Sequence, residues 1–313
     1  MGIVGRELCN CKVAVYLENR TFAKHEILNA IFETMGDTSG GKGDSYLLTD
    51  SASDEPPRQR NVLVLTDFSE KVHAALTYAA AYAQATEGKI TLLHVAKAEE
   101  GDRSIDLSEL LAEYNESVQC DWLLLQGDFL TEVSRVVEDV APAMVIIGSQ
   151  HLNTPELYKK SLARTLFKHL KGTYLLVQEE VEEAPFQRVL LPVDFTDKPE
   201  CTHEWLELFA PFFACEVYLV MPQVNENELQ EAIELNRDKV VNILETRGIS
   251  YREFTVAGND EYTQEILAYG QEIAADLIVI NSVRSPEDVY ILESHERSLI
   301  LHARQIPVLV VNS

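Results

Sequence analysis

The sequence predicts an α/β protein made of two similar doubly wound domains, each a five-stranded, mostly parallel sheet with helices on both faces. Three observations carry this reading. One ten-residue pattern occurs twice: Val62-Leu63-Val64-Leu65-Thr66-Asp67-Phe68-Ser69-Glu70-Lys71 returns as Val189-Leu190-Leu191-Pro192-Val193-Asp194-Phe195-Thr196-Asp197-Lys198, so that Asp67 maps onto Asp194 at a shift of 127. Met144–Ser149 returns as Leu277–Ser282 at a shift of 133, and the same shift carries Leu175-Leu176-Val177 onto Val308-Leu309-Val310. A repeat at domain length, in one order, means two copies of one unit. Within each copy, short β-branched apolar runs alternate with stretches of helical periodicity, as strands buried on both faces by crossover helices require.

In the first copy Val62–Thr66 is apolar and β-branched, hence a buried strand, and Ser69 reads as the N-cap of a helix over Val72–Thr86. Ile90–Val95 is the second strand, Ser104–Val118 a helix, and Trp122–Leu125 the third strand. Leu130–Val140 places Val133, Val136, Val137 and Val140 on one helical face. Met144–Ile147 is the fourth strand, Pro155–Leu170 a helix capped by Thr154 with proline at its first position, and Tyr174–Val177 the fifth strand. The second copy repeats the order: Val189–Val193, Glu204–Phe213, Glu216–Val220, Glu228–Arg247, Tyr251–Val256, Thr263–Ala275, Leu277–Ile280, Pro286–Arg304 and Val308–Val311. Ser285-Pro286-Glu287-Asp288 reads as a capping box for the last of these helices.

The domains are thus 61–179 and 186–313, joined by the polar, acidic Gln178–Pro185. Residues 1–60 stand outside the repeat as an extension, with Lys12–Leu17 fitting a strand, Ala23–Met35 a helix and Gly36–Arg60 a flexible linker. A net charge of −25 repels phosphate backbones and excludes broad nucleic-acid binding. Five scattered cysteines fit a reducing compartment, no apolar run reaches the roughly 18 residues of a membrane span, and Met1–Cys11 lacks a signal-peptide core. These features predict a cytoplasmic protein without a membrane partner.

In open parallel sheets ligands sit beyond the carboxyl ends of the strands, at the point where the winding reverses. The residues there, Thr66-Asp67-Phe68-Ser69, Leu92-Leu93-His94-Val95 and Val145-Ile146-Ile147-Gly148-Ser149, resemble the universal stress protein family in its tandem two-domain form, as do the closing runs Leu175-Leu176-Val177 and Pro307-Val308-Leu309-Val310-Val311. The resemblance covers roughly residues 61 to 313 and implies a nucleotide alpha hydrolase-like fold. It also implies pairing of the two domains through their final strands, a homodimer, and a regulator of stress responses that acts through a protein partner the sequence does not name.

Nucleotide-binding members of that family carry Gly-x2-Gly-x9-Gly-Ser/Thr after the fourth strand and an Asp after the first that contacts adenine or ribose. Glycines let the backbone approach phosphates, and helix N-terminal amides supply the positive dipole end. Here Asp67 and Gly148 are present, whereas His151 and Ser161 take the second and third glycine positions and Leu162 the hydroxyl position. The binding residues this implies are Thr66, Asp67, Val95, Gly148, Ser149, His151 and Ser161, with Lys159 and Lys160 as further sources of charge. This set allows weak binding of ATP or another adenine nucleotide in the first domain. In the second domain Asp194 is kept, but Asn281, Arg284, Ser294 and His295 stand at the pattern positions, and Glu287, Asp288, Glu293 and Glu296 oppose a triphosphate. Asp194, Asn281 and Ser282 are its weaker candidates, and its site is degenerate. The plain alternative for Asp67 and Asp194 is capping and turn formation after a strand.

Other motifs carry less. Gly36–Gly43 nearly spells a phosphate-binding loop but ends in Gly43 where Ser or Thr must bind magnesium, and it follows a helix. His295-Glu296 lacks a second histidine within reach of one zinc, since His302 lies about 10 Å along a helix. Cys9-x-Cys11 lacks partners, and Asp67 lacks the acidic neighbour of a phosphoacceptor. No nucleophile–base set can be placed, so no catalytic residue and no metal site is assigned. The competing readings are a nucleotide-dependent regulator, a nucleotide-free interaction module and a slow ATPase.

Overall fold

The computed structural model describes residues 16–17, 60–97, 99–148, 161–178, 186–195, 199–258, 261–285, 289–292, 294–303 and 306–312. The first half runs β2 (Val62–Leu65), α1 (Lys71–Thr86), β3 (Lys89–Ala96), α2 (Ser104–Leu111), β4 (Gln119–Gln126), α3 (Phe129–Val140), β5 (Met144–Gly148), α4 (Leu162–His169) and β6 (Gly172–Val177). The second runs β7 (Arg188–Pro192), α5 (Pro199–Phe209), β8 (Glu216–Gln223), α6 (Asn227–Thr246), β9 (Ser250–Ala257), α7 (Tyr262–Glu272), β10 (Leu277–Asn281), β11 (Val283–Arg284), β12 (Tyr290–Ile291), α8 (Ser294–His302) and β13 (Val308–Asn312). The α/β doubly wound class expected from the sequence is the one observed.

With β1 at Tyr16–Leu17, strands of both halves form one eleven-stranded sheet in the order β1-β4-β3-β2-β5-β6-β13-β10-β7-β8-β9. Pairing is parallel within each half. The halves join at the single antiparallel contact of β6 with β13, where Leu175 faces Leu309 and Tyr174 faces Val310. The final strands therefore pair within the chain. β1 (Tyr16–Leu17), inside the stretch that reads as a strand at Lys12–Leu17, adds to the edge of β4 with Tyr16 opposite Leu124. The expected helix at Ala23–Met35 lies outside the described residues, as do the linkers expected at Gly36–Arg60 and Gln178–Pro185 apart from Arg60 and Gln178.

Alternation along each strand sorts the core into two layers. Val62 and Val64 belong to the layer that also holds residues of α1, α2, α5 and α6, while Leu63 and Leu65 belong to the one that holds residues of α3, α4, α7 and α8. Each layer contains residues of both halves, so the two cores are continuous across the junction. On one face Tyr78 of α1 meets Phe186 and Tyr82 meets Phe209 and Phe213, with ring centroids 5.8–6.1 Å apart, and Phe186 lies 4.7 and 5.2 Å from Phe209 and Phe213. Tyr82 also donates its hydroxyl to the Leu208 carbonyl at 3.3 Å. On the other face, the fully buried Asn312 of β13 donates to the Phe167 and Leu170 carbonyls, both at 2.8 Å, closing the C-terminal end of α4.

Several local expectations are corrected. The helix expected over Pro286–Arg304 is replaced by a hairpin, β11 against β12, followed by α8 from Ser294. Ser285 spends its N–H on the Val289 carbonyl at 2.7 Å, and Val289, Tyr290 and Ile291 favour extended backbone over a first helical turn. α2 stops at Leu111, and turns closed by Tyr114 and Ser117 N–H groups fill the rest of the expected Ser104–Val118. α5 begins at Pro199 and ends at Phe209, ahead of Pro211, which has no N–H to extend it. Ser161 is extended and caps α4, its Oγ accepting the Arg164 N–H at 3.1 Å, so the expected Pro155–Leu170 is not one continuous helix; residues 155–160 lie outside the described residues. Ser69 does not cap α1: Glu70 occupies that place without a side-chain bond.

Candidate functional site

The winding of the first half reverses between β2 and β5, which lie side by side. The crevice there is bounded by Thr66–Ser69 at the exit of β2, Gly148 at the end of β5 and the first turn of α1. Gly148 is dictated by packing. A Cβ at this position would lie 2.3 Å from the Lys71 carbonyl oxygen, so only glycine lets β5 end so close to α1. Gly148→Ala is expected to lower unfolding stability by about 1–3 kcal/mol, read from a denaturant midpoint, because backbone rather than a flexible side chain must move.

The turn after β2 is tightly specified. Thr66 Oγ1 accepts the Phe68 N–H at 2.9 Å, and Asp67 Oδ1 accepts the Ser69 N–H at 3.0 Å. Phe68 takes a left-handed conformation, φ 61°, which a bulky residue adopts only when its surroundings enforce it. Its ring lies 4.6 Å from the His94 ring, and the Arg103 guanidinium stacks over it at 3.8 Å. His94, buried at the end of β3, places Nδ1 2.8 Å from the Thr66 carbonyl and Nε2 3.1 Å from Glu100 Oε1. The Lys97 amide, helped by His94 and Arg103, holds the Glu100 carboxyl below the usual carboxylate range. The loop after β3 is thereby fastened over the exit of β2, with the Asp67 side chain left exposed at the crevice.

The candidate residues fall into three groups. Thr66, Asp67, Val95 and Gly148 lie at adjacent strand ends, as the sequence reading requires. Ser161 is described as the cap of α4, its hydroxyl engaged by that helix. Ser149, His151, Lys159 and Lys160 lie outside the described residues. The plain reading of Asp67 as a turn former is also visible, since one oxygen holds the Ser69 amide.

The corresponding place in the second half is differently built. Asp194 Oδ2 meets His295 Nε2 at 3.1 Å, with side chains only 11 % and 20 % exposed, and Asn236 donates to the Asp194 carbonyl at 2.9 Å. Glu296 is buried, and the Tyr262 ring lies 5.7 Å from that of His295. Burial first, then the Asp194 and Glu296 carboxylates, push the Tyr262 hydroxyl well above the ordinary phenol range. Asn281 is buried, and Ser282 donates its hydroxyl to Asn312 Oδ1, so this hydroxyl fastens the β10–β13 junction. Among the described residues no three His, Cys, Asp or Glu side chains gather as a metal site would need. None of their helices is long and apolar enough to cross a membrane.

The sequence reading missed Phe68, Glu100 and Arg103 in the first half and Tyr262 and Asn236 in the second. The repetition of Phe68 as Phe195 was a usable signal. The other four contacts join residues far apart in the chain or within one irregular loop, where periodicity says nothing.

A doubly wound parallel sheet with its crevice at the β2/β5 reversal defines the structural class. Residues 59–178 match the model of the Universal stress protein family. The fold extends over both halves in solved structures. A universal stress protein from Archaeoglobus fulgidus DSM 4304 superposes with a TM-score of 0.62 at 18 % identity, covering 82 % of this chain and 99 % of that one. A putative universal stress protein from Pseudomonas aeruginosa UCBPP-PA14 does so with a TM-score of 0.54 at 19 % identity, covering 81 % and 93 %. No curated protein matches the chain.

Proposed function

We propose that the protein is a cytoplasmic stress-response regulator that binds ATP or another adenine nucleotide weakly in its first half, and that its second half takes no nucleotide. One contrast carries the reading. Asp67 stands exposed at the strand ends, whereas its counterpart Asp194 is covered by His295. A carboxylate closed by an internal partner has to break that pair before it can meet a ribose, and the buried Glu296 beside it repels phosphate. The acidic chain as a whole, at −25, makes any nucleotide binding depend on local amides and cations.

The test is nucleotide extraction from freshly purified protein, followed by calorimetric titration with ATP. One equivalent per chain is expected, and Asp67→Ala should weaken binding about tenfold, the worth of a charge-assisted hydrogen bond. Asp194→Ala should leave it unchanged. Two equivalents, or binding that survives Asp67→Ala and falls with Asp194→Ala, would sink the assignment to the first half.

The second reading, a nucleotide-free interaction module, has its own support: Ser161 at a family glycine position spends its hydroxyl on the Arg164 amide. It predicts no co-purifying nucleotide and no thermal shift with ATP. Slow ATP hydrolysis would appear as turnover abolished by Asp67→Ala. Because β6 and β13 already pair within the chain, a homodimer would have to form through another surface.

A further inference from the structure

The two halves diverge most where β3 and β8 end. At the shift that maps Asp67 onto Asp194, His94 corresponds to Met221 and Val95 to Pro222. In the first half this place is filled by the loop after β3, with His94, Glu100, Phe68 and Arg103 packed together. In the second half the connection from Gln223 to Asn227 is short, and α6 runs for 20 residues where α2 has 8. Phe195, the counterpart of Phe68, is 52 % exposed rather than tucked under an arginine. Replacing the plugging loop with a long helix leaves a cleft of ≈ 760 Å³ between α6 and the ends of β8 and β9.

The cleft has a definite chemistry. The half-buried Met221 and Val224 give it an apolar strip backed by the buried Pro222 and Ile233, while the larger part of its exposed lining is polar. Arg237 lies on its wall, but its charge is already matched. Nε and NH2 donate to the two oxygens of Glu253 at 2.8 and 2.6 Å, and NH1 donates to Asp238 at 2.6 Å. Glu234, one turn before Asp238 on α6, is exposed and, among the described residues, accepts only an amide hydrogen bond from Gln230 at 3.1 Å. The lining therefore carries Glu234, Asp238 and Glu253 against Arg237, a surplus of negative charge beside a narrow apolar strip. Its size lies within the roughly 300–1,000 Å³ of small-molecule pockets. On so acidic a chain this combination selects against anions and in favour of cations with an apolar body.

We propose that the cleft between α6, β8 and β9 binds an organic amine, its aromatic or alkyl body against Met221 and Val224 and its ammonium paired with Glu234. The site lies apart from the crevice assigned to nucleotide and does not rest on that assignment. Tryptamine is a suitable probe, with indole-3-propionate as an anion of similar shape. In a titration of the full chain followed by ¹H–¹⁵N NMR, tryptamine should shift the amides of Met221, Gln223, Val224 and residues 230–238. It should bind about tenfold more tightly than indole-3-propionate, Glu234→Gln should remove most of that preference, and Glu234→Lys should reverse it. Glu234 is exposed, so both variants should keep the parent thermal midpoint. No shifts at these amides, equal binding of the two probes, or a preference unchanged in Glu234→Lys would overturn the proposal.

Discussion

Phe186→Ala is expected to cost about 3–5 kcal/mol of unfolding free energy, the range for deleting a buried aromatic ring. Phe186 is fully buried and enters the second half just ahead of β7. Its ring touches Tyr78 of α1 in the first half as well as Phe209 and Phe213 in the second, so its loss opens a cavity shared by both. The backbone makes a sharper test available. Phe186 sits at φ 70°, where glycine is at ease and a side chain is strained by about 1 kcal/mol or more. Phe186→Gly should therefore be no less stable than Phe186→Ala, the reverse of the usual order. Trp122 and Trp205 report on β4 and α5 respectively, one in each half. Because both core layers are continuous, single-tryptophan variants should show the two midpoints falling together in urea. A shift in the Trp205 transition alone would show that the halves unfold independently.

The sequence was most legible where burial is two-sided. Val62–Leu65 and Leu277–Ile280 are wholly buried, so their apolar runs could only be central parallel strands, and the repeat fixed their order. Their edges moved by a residue or so because strand ends answer to pairing partners rather than to composition. The errors were local signals overruled by tertiary ones. Ser285-Pro286-Glu287-Asp288 reads as a capping box only until the Ser285 amide has Val289 within reach across a turn. Phe209 ends α5 because of Pro211, a breaker visible in the sequence but given too little weight.

Legibility of the site was divided in the same way. Asp67 and Gly148 could be placed because strand ends in such sheets converge on one crevice. That His295 would close on Asp194 could not, since nothing local links the exit of β7 to the first turn of α8. The cleft beside α6 was hidden for another reason: it arises from what one copy lacks relative to the other, and no single motif records a missing plug.

A second large effect is expected where the halves are stitched on the opposite face. Asn312 is fully buried, and both hydrogens of its amide nitrogen go to carbonyls of the first half, those of Phe167 and Leu170 at 2.8 Å. Its oxygen accepts from Ser282, so all its polar capacity but one lone pair is directed by the fold. Asn312→Asp keeps the shape and removes both donors, leaving an acceptor against two acceptors in a buried place. The expected loss at neutral pH is about 3–5 kcal/mol, that of an unpaired buried charge. The sign with pH follows from linkage. Burial and the two carbonyls raise the folded-state pKa of the introduced carboxyl above its unfolded value, so the folded state takes up a proton first as pH falls. The deficit relative to the parent is therefore full above the raised pKa and shrinks on acidification until the unfolded pKa is passed. Protonation restores one donor of the two, so the deficit should not vanish. Asn312→Ala, which leaves the Phe167 carbonyl without this donor but adds no charge, should cost about 1–3 kcal/mol with no such dependence. Urea unfolding of the three proteins at pH 7 and pH 5 separates these outcomes. An Asn312→Asp deficit that stays constant or grows on acidification would mean that residue 312 reaches water in solution and that this seam between the halves is looser than its hydrogen bonds indicate.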